Sequence, residues 1–350
     1  MTKSSTPHQL LRLAASGLVW LCAASFALAQ TTGFVFTADE AANSVSRIDL
    51  STGKVDTVPL PLSPHNVDIS GPGRPLLVVG PGVLAEHGEE GHGEGMEGHG
   101  EAGLLAVLDP IDLSQPPRAL ISVGEHPAHV VALRDGSVAF VTNAGEDTVG
   151  VVDLAAGKMI SRIPTGKYPH GMRLSPDEQF LLVANVEDGS VSLIDTATRV
   201  ETARIPVGKA PVQVGFLPDG LRAFVSLRDE DAVAVINLSQ HEVTAHIPVG
   251  RGPIQLHVTP DGRYVFVANQ GSDAAPDNRV SVVEVATSSV IATIETGTAA
   301  HGVDVSADGK QAFVTNIGDA TVSVIDIASL KVIETYKVGD GPNGIAYLEP

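Results

Sequence analysis

The chain has 350 residues, a formal charge of −19, 36 glycines, 23 prolines and about 4% aromatic residues, a composition that points away from helices and toward short, turn-punctuated strands. Its acidic balance disfavours nucleic acid and anionic lipid as partners, because either would be repelled, and it suits solubility and cations. A chain of this length holds two average domains or one closed repeat architecture, so periodicity is the first thing to seek.

Residues 1–29 read as a targeting segment. Lys3 and Arg12 precede an apolar stretch from Leu13 to Phe26, which ends in Ala27-Leu28-Ala29 before Gln30. Cleavage after Ala29 is expected, with a periplasmic or secreted destination and no stable membrane insertion afterwards. The apolar stretch is shorter than the roughly 20 residues that span a bilayer. The only cysteine, Cys22, lies inside this segment, and the bulky Leu21 before it argues against lipidation. The mature chain, residues 30–350, is then free of cysteine and has no disulfide chemistry. Its charge moves from −19 to −21 as Lys3 and Arg12 leave.

From Phe34 onward one unit of about 42 residues recurs seven times. Its clearest copies begin Ala139-Phe-Val-Thr-Asn143, Leu182-Val-Ala-Asn185, Val265-Phe-Val-Ala-Asn269 and Ala312-Phe-Val-Thr-Asn316. After a polar turn comes a second alternating run, as in Thr148-Val-Gly-Val-Val-Asp153 and Thr321-Val-Ser-Val-Ile-Asp326. Alternation with period 2 makes these half-buried strands. A third run carries Ile-Pro-Val-Gly or a relative, at Ile163 to Gly166, Ile205 to Gly208 and Ile247 to Gly250. A fourth begins at Pro127, Pro169, Pro211, Pro253 and Pro342 and ends in turns such as Pro218-Asp-Gly220. Four strands per unit is the blade of a β-propeller.

On these motifs the chain resembles the YVTN-repeat β-propeller family over essentially all of its mature length, most weakly at Pro75 to Leu108. The resemblance implies an all-β, seven-bladed propeller of four-stranded antiparallel blades. With strands lettered A to D outward from the axis, the chain begins on a strand B and ends on an extra strand A, Gly344 to Leu348. That strand is expected to complete the first blade and close the ring. The fold alone does not name a function.

The seven copies serve as an internal alignment. Recurring residues, such as Asp49, Asp109, Asp153, Asp195 and Asp326 before a turn, have a structural role common to every blade. Exceptions are the functional candidates. One place after the proline slot, at the mouth of the central channel, stand His65, His170 and His301, with His129 one place further on. Three of the four fall on consecutive blades, the second to the fourth. Deeper along the same strands Asp68, Arg173, His257 and Asp304 are expected to line the channel, and the alternate apolar residues to pack between blades.

The second repeat also carries a large insertion, residues 81–103, rich in Gly, Glu and His and containing His87, His92 and His99. It has no apolar face to bury and is expected to be mobile. Imidazole and carboxylate suit Zn²⁺, and the same nitrogens suit Cu²⁺ or Ni²⁺. Because it joins strand B to strand C, the insertion is expected above the mouth bearing the four histidines. In this it is loosely similar to periplasmic zinc metallochaperones of propeller fold. The favoured reading is an exported protein that binds or chaperones zinc or copper, with a transport or receiving protein as partner. A non-catalytic interaction scaffold and a lactonase-like or lyase-like enzyme using His257 and Asp304 are the alternatives. Neither a Gly-x-Ser-x-Gly elbow nor a His-Glu-x-x-His motif is present.

Overall fold

The computed structural model describes residues 1–2, 32–83 and 102–350, and divides the chain at Gln30 into two units. The larger unit consists of seven four-stranded antiparallel sheets. Each is one repeat of the sequence. Blade 3, for example, runs outward from Pro127–Ala132 through Val138–Asn143 and Thr148–Asp153 to Lys158–Pro164. The innermost strand of every blade touches the innermost strands of its two neighbours, so the blades form a closed ring.

Closure is made by the two ends of the repeat array. Pro342–Leu348 pairs antiparallel with Phe34–Asp39, Leu348 facing Phe34 and Ala346 facing Phe36, and so supplies the strand A that the first repeat lacks. No single core exists. Seven apolar clusters each lie between two adjacent blades, the last joining Val35 and Ile48 of blade 1 to Phe313 and Val324 of blade 7. The third residue of strand B, Phe36, Phe140, Phe224, Phe266 or Phe313, is fully buried in them. Each such ring contributes about 1.5–3 kcal/mol of transfer free energy.

The recurring polar residues have the structural roles expected of them. Asp49, Asp109, Asp153, Asp195 and Asp326 each accept backbone N–H groups of the turn that follows, as from Ser51 at 2.9 Å and from Thr198 at 2.7 Å. The Asn that ends strand B does more than shape a turn. Asn316 is buried, donates Nδ2 to the hydroxyls of Thr321 and Ser323 in its own blade, and accepts Gly297 N–H from the blade before at 2.9 Å. A Cβ on Gly297 would lie 2.7 Å from Asn316 Cγ, and one on Gly250 2.5 Å from Asn269 Cγ, which is why the strand D motif ends in glycine.

Blade 1 substitutes Asp39 for that asparagine. Its carboxylate accepts the hydroxyls of Ser46 at 2.6 Å, Ser44 at 3.2 Å and Thr37 at 2.6 Å. Burial pushes its pKa up to about 6 even though those three hydroxyls and the Gly339 backbone oppose the shift.

Two predictions follow from the ring. Deleting residues 343–350 exposes the edge of Phe34–Asp39 and opens the junction between blades 1 and 7. The melting temperature is expected to fall by at least about 5 °C, and an unchanged thermal transition would show that closure does not depend on this strand. At Asp39 the folded pKa is raised, so the folded state holds the proton more tightly than the unfolded chain. Stability is highest below the carboxylate's ordinary pKa near 3.8 and is lost as pH rises through about 6. Asp39→Asn, the residue that blades 3, 4, 6 and 7 already use, should match wild type near pH 4 and exceed it by about 1–3 kcal/mol above pH 7, as read by denaturant unfolding at the two pH values.

Candidate metal centre at the channel mouth

Most blades enter the ring by the same local device. In six blades the residue before strand A takes a left-handed conformation, as at His126 (φ 47°), Tyr168 (φ 55°) and Ala299 (φ 57°), and the strand then begins at Pro127, Pro169 or Ala300; in blade 2 the backbone N–H groups of Ser63 and His65 donate instead to the Pro81 and Val79 carbonyls, each at 2.8 Å. This turn fixes the first side chains of strand A at the mouth. His65, His129 and His170 therefore converge from blades 2, 3 and 4, as their spacing in the repeat predicts.

One ligand nitrogen from each of these three histidines lies within 4.8 Å of the other two. His65 Nε2 and His170 Nε2 are 3.2 Å apart, and the ring centroids are separated by 5.0–6.2 Å. A Zn–N bond of about 2.0–2.1 Å in tetrahedral geometry sets ligand nitrogens about 3.3–3.4 Å apart. The His65–His170 edge fits that length. His129 is buried, and its Nδ1 has no hydrogen-bond partner. An orphaned buried nitrogen costs about 1–3 kcal/mol, so the fold retains His129 at a loss that a bound ligand would offset.

A carboxylate not singled out from the sequence stands behind His65. Glu40 Oε2 lies 3.2 Å from His65 Nδ1 and accepts the Asn343 side-chain amide. When Nδ1–H donates to Glu40, Nε2 presents its lone pair toward His170, the way metal-ligating histidines are commonly oriented. Burial alone would raise the Glu40 pKa, but the hydrogen bond and charge of His65 and the Asn343 amide outweigh it and hold the group at about 2. Glu40 sits at the first position after strand B, where the other blades place Gly82, Ala144, Val186, Arg228, Gln270 and Ile317. Comparing the copies at that position isolates it as the one acid. His126, exposed beside Pro127, is a further imidazole at the rim, and with Glu40, His65, Tyr168 and His170 it lines a cavity of about 180 Å³.

His301 does not join the trio. It is buried on blade 7, and its Nδ1 lies 3.2 Å from the Asn343 carbonyl oxygen. It thus supports Asn343, which in turn holds Glu40. His87, His92 and His99 lie outside the described residues. The two roots of their insertion are at this mouth: Gly82 N–H donates to the Ala102 carbonyl at 3.1 Å, and Pro81 lines the same cavity as His65.

Below the histidines the strand A side chains do not form the open channel expected of them. Asn66, Gln213 and Gln255 are buried at the level of His129, where the ring is narrow enough for side chains to fill. One step deeper Asp68, Arg173 and His257 line a cavity of about 500 Å³ that opens at the opposite mouth, and Asp304 Oδ1 contacts His257 Nδ1 at 2.9 Å.

The histidine mouth favours neutral imidazole. Burial, reinforced by repulsion from His65, lowers the pKa of His170 to about 3 and of His301 to about 4, and His129 is driven well below its ordinary 6.5 by burial and then by His170 and His65. Depressed basic groups stabilise the fold above their unfolded pKa, and that contribution is lost as pH falls from about 6.5 toward 4. The side-chain resonances of His129, His170 and His301 are expected to stay at neutral-imidazole values from pH 8 to pH 5. Titration of any of the three near pH 6.5 would refute their burial as free bases.

Sequence and fold comparisons agree with this architecture. Residues 116–228 match the YNCE-like beta-propeller family, and residues 224–341 match the cytochrome D1 heme domain. No curated protein matches the chain. Among solved structures it is similar to the hydrazine synthase of Kuenenia stuttgartiensis (20% identity, 83% of this chain and 90% of that one, TM-score 0.65). It is also similar to a protein of unknown function from Desulfotomaculum acetoxidans (16%, 91% and 100%, TM-score 0.72). A third similar structure, from Bacteroides uniformis, is provisionally described as a 6-phosphogluconolactonase (15%, 91% and 100%, TM-score 0.71). At these identities the likeness is one of fold. The segment matched by the heme-domain family contains none of His65, His129 and His170, and 180 Å³ is below the ~300–1,000 Å³ of ordinary small-molecule pockets. The described mouth therefore does not fit a macrocycle.

Proposed function

We propose that this chain, a seven-bladed β-propeller similar over residues 116–228 to the YNCE-like beta-propeller family, binds a divalent transition metal, zinc or copper, at the channel mouth and acts as an exported metal-binding or metal-delivering protein. The observation that carries the reading is the convergence of His65, His129 and His170 with their ligand nitrogens within 4.8 Å. Three imidazoles leave a coordination position open, as a site that must release its cargo requires. With no thiolate available beyond Cys22, the donor set favours Zn²⁺ or Cu²⁺ over softer ions. The low pKa values of His129 and His170 favour binding, since no proton has to leave those rings at neutral pH.

In this reading Glu40 fixes the His65 tautomer, and His301 holds Asn343 against Glu40. The insertion with His87, His92 and His99 serves as a weaker collecting segment rooted beside the site, with the receiving partner a transport or acceptor protein. Export through residues 1–29 supplies the compartment in which such a protein meets its ions.

Calorimetric titration of the metal-stripped protein with Zn²⁺ and Cu²⁺ tests the reading. One tight ion is expected, lost when His65, His129 and His170 are changed together to Ala and retained when residues 87–99 are deleted or His301 is changed to Ala. Glu40→Gln should weaken the site by about 10–100-fold. Binding no tighter than about millimolar, or tight binding that survives the triple substitution, overturns it.

A further inference from the structure

The opposite mouth is built from the same strand positions but carries different chemistry. Taken around the ring from blade 2 to blade 1, the position two residues deeper than the upper layer reads Asp68, Val131, Arg173, Gly215, His257, Asp304 and Ala346. Four of the seven are titratable, and they stand in a ring whose structural needs the other blades meet with Val, Gly and Ala. Asp68 and Asp304 each accept an N–H of the next blade's innermost strand, from Ala132 at 3.2 Å and from Tyr347 at 2.7 Å, but no such role calls for Arg173 or His257. The cavity that Asp68, Arg173 and His257 line, about 500 Å³, is walled by Val131, Leu174, Phe216 and Leu256. Its size suits a small organic ligand rather than an ion.

The pairing of these groups is incomplete. Asp304 is satisfied: Oδ2 accepts the Tyr347 N–H and Oδ1 the Val305 N–H, both at 2.7 Å, while His257 Nδ1 lies 2.9 Å from Oδ1. Arg134 at the rim is taken up by Glu178 and by the Pro176 carbonyl. Arg173 is different. Among the described residues it forms no ion pair within 4.0 Å, and its one hydrogen bond goes to the carbonyl of its own neighbour, Met172, at 3.1 Å. A guanidinium has five N–H donors in a fork that matches a carboxylate. Asp68 accepts only backbone N–H groups, Ala132 at 3.2 Å among them, and burial raises its pKa to about 6 despite the opposing charge of Arg173.

We infer that this mouth binds a small hydroxycarboxylate, whose carboxylate is held by Arg173 and whose hydroxyls are held by His257 and Asp68. A bare oxyanion would satisfy Arg173 but would face Asp68 with nothing to donate to it. A neutral polyol would satisfy Asp68 and leave the guanidinium unmatched. The molecule that completes the ring carries one negative charge and adjacent hydroxyl donors. This site is independent of the histidine mouth, because a buried layer of Asn66, His129, Gln213 and Gln255 lies between them.

Calorimetry or ligand-observed NMR on the full chain in EDTA, with gluconate, acetate, inorganic phosphate and glucose as probes, tests it. Gluconate is expected to bind at least tenfold tighter than each of the other three. Arg173→Gln should weaken gluconate at least tenfold with an unchanged melting temperature, Arg173→Lys should fall between the two, and His170→Ala at the other mouth should leave gluconate binding as it was. If Arg173→Gln alters the melting temperature, the Arg173→Lys affinity decides. The inference is overturned if gluconate binds no tighter than acetate, phosphate or glucose, if the Arg173 variants bind it as wild type does, or if His170→Ala abolishes binding. EDTA keeps this outcome separate from that of the metal titration.

Discussion

At five of the seven junctions a glycine at the end of the outer strand backs against the buried Asn or Asp that ends strand B of the next blade, Gly166 meeting Asn185 among them. Gly124 meets Asn143, Gly250 meets Asn269, Gly297 meets Asn316, and Gly339 meets Asp39 across the closure. This contact ties the outside of one blade to the inside of its neighbour, beside the apolar clusters that fill each junction. A ring held in this way is only as sound as its weakest junction, because each blade buries its faces solely against the two beside it. The junction between blades 7 and 1 is the costliest to form. It requires chain ends more than 300 residues apart to pair, as Phe34 does with Leu348.

The same geometry explains how a site can be built without disturbing the fold. The strand A side chains at the mouth face the axis, away from the clusters between blades, so their chemistry varies at little cost to packing. Three consecutive blades use that freedom for His65, His129 and His170. The adjacent blade 1 contributes Glu40, and its closing strand contributes Asn343. Ring closure and the site are thereby coupled: Asn343, which holds Glu40, belongs to the strand that completes the ring.

Much of this was legible from the chain because repetition makes structure and exception separable. Strand boundaries, blade number, the closing strand and the turn-capping aspartates follow from residues that recur, and the histidine trio follows from residues that do not. What escaped has identifiable causes. Glu40 lies on a loop between strands B and C, whereas the comparison of copies was made along strand A. His301 occupies the same repeat position as His170, but the axis lies between them, and its Nδ1 finds the Asn343 carbonyl first. Alternation predicts which side chains face the axis but carries no information on the radius of the ring there. Asn66, Gln213 and Gln255 are therefore buried where an open channel was expected.

That buried layer gives the propeller two unlike ends. Above it the environment is desolvated and holds neutral imidazoles backed by one carboxylate; below it a roomier cavity is lined by Asp68, Arg173 and His257 within apolar walls. Gln213 and Gln255 keep their Nε2 groups buried without partners in the layer itself. An apolar plug would seal the axis more cheaply, since each unmatched amide costs about 1–3 kcal/mol. Gln213 Oε1 accepts the Val214 N–H at 2.9 Å and Asn66 Oδ1 the Val130 N–H at 3.3 Å. These amides satisfy backbone donors of the innermost strands that face the axis. Leu or Val in their place would orphan those two N–H groups. Asn66 and Gln213 thus answer strand A backbone donors that face the axis, and the buried layer to which they belong separates the two mouths.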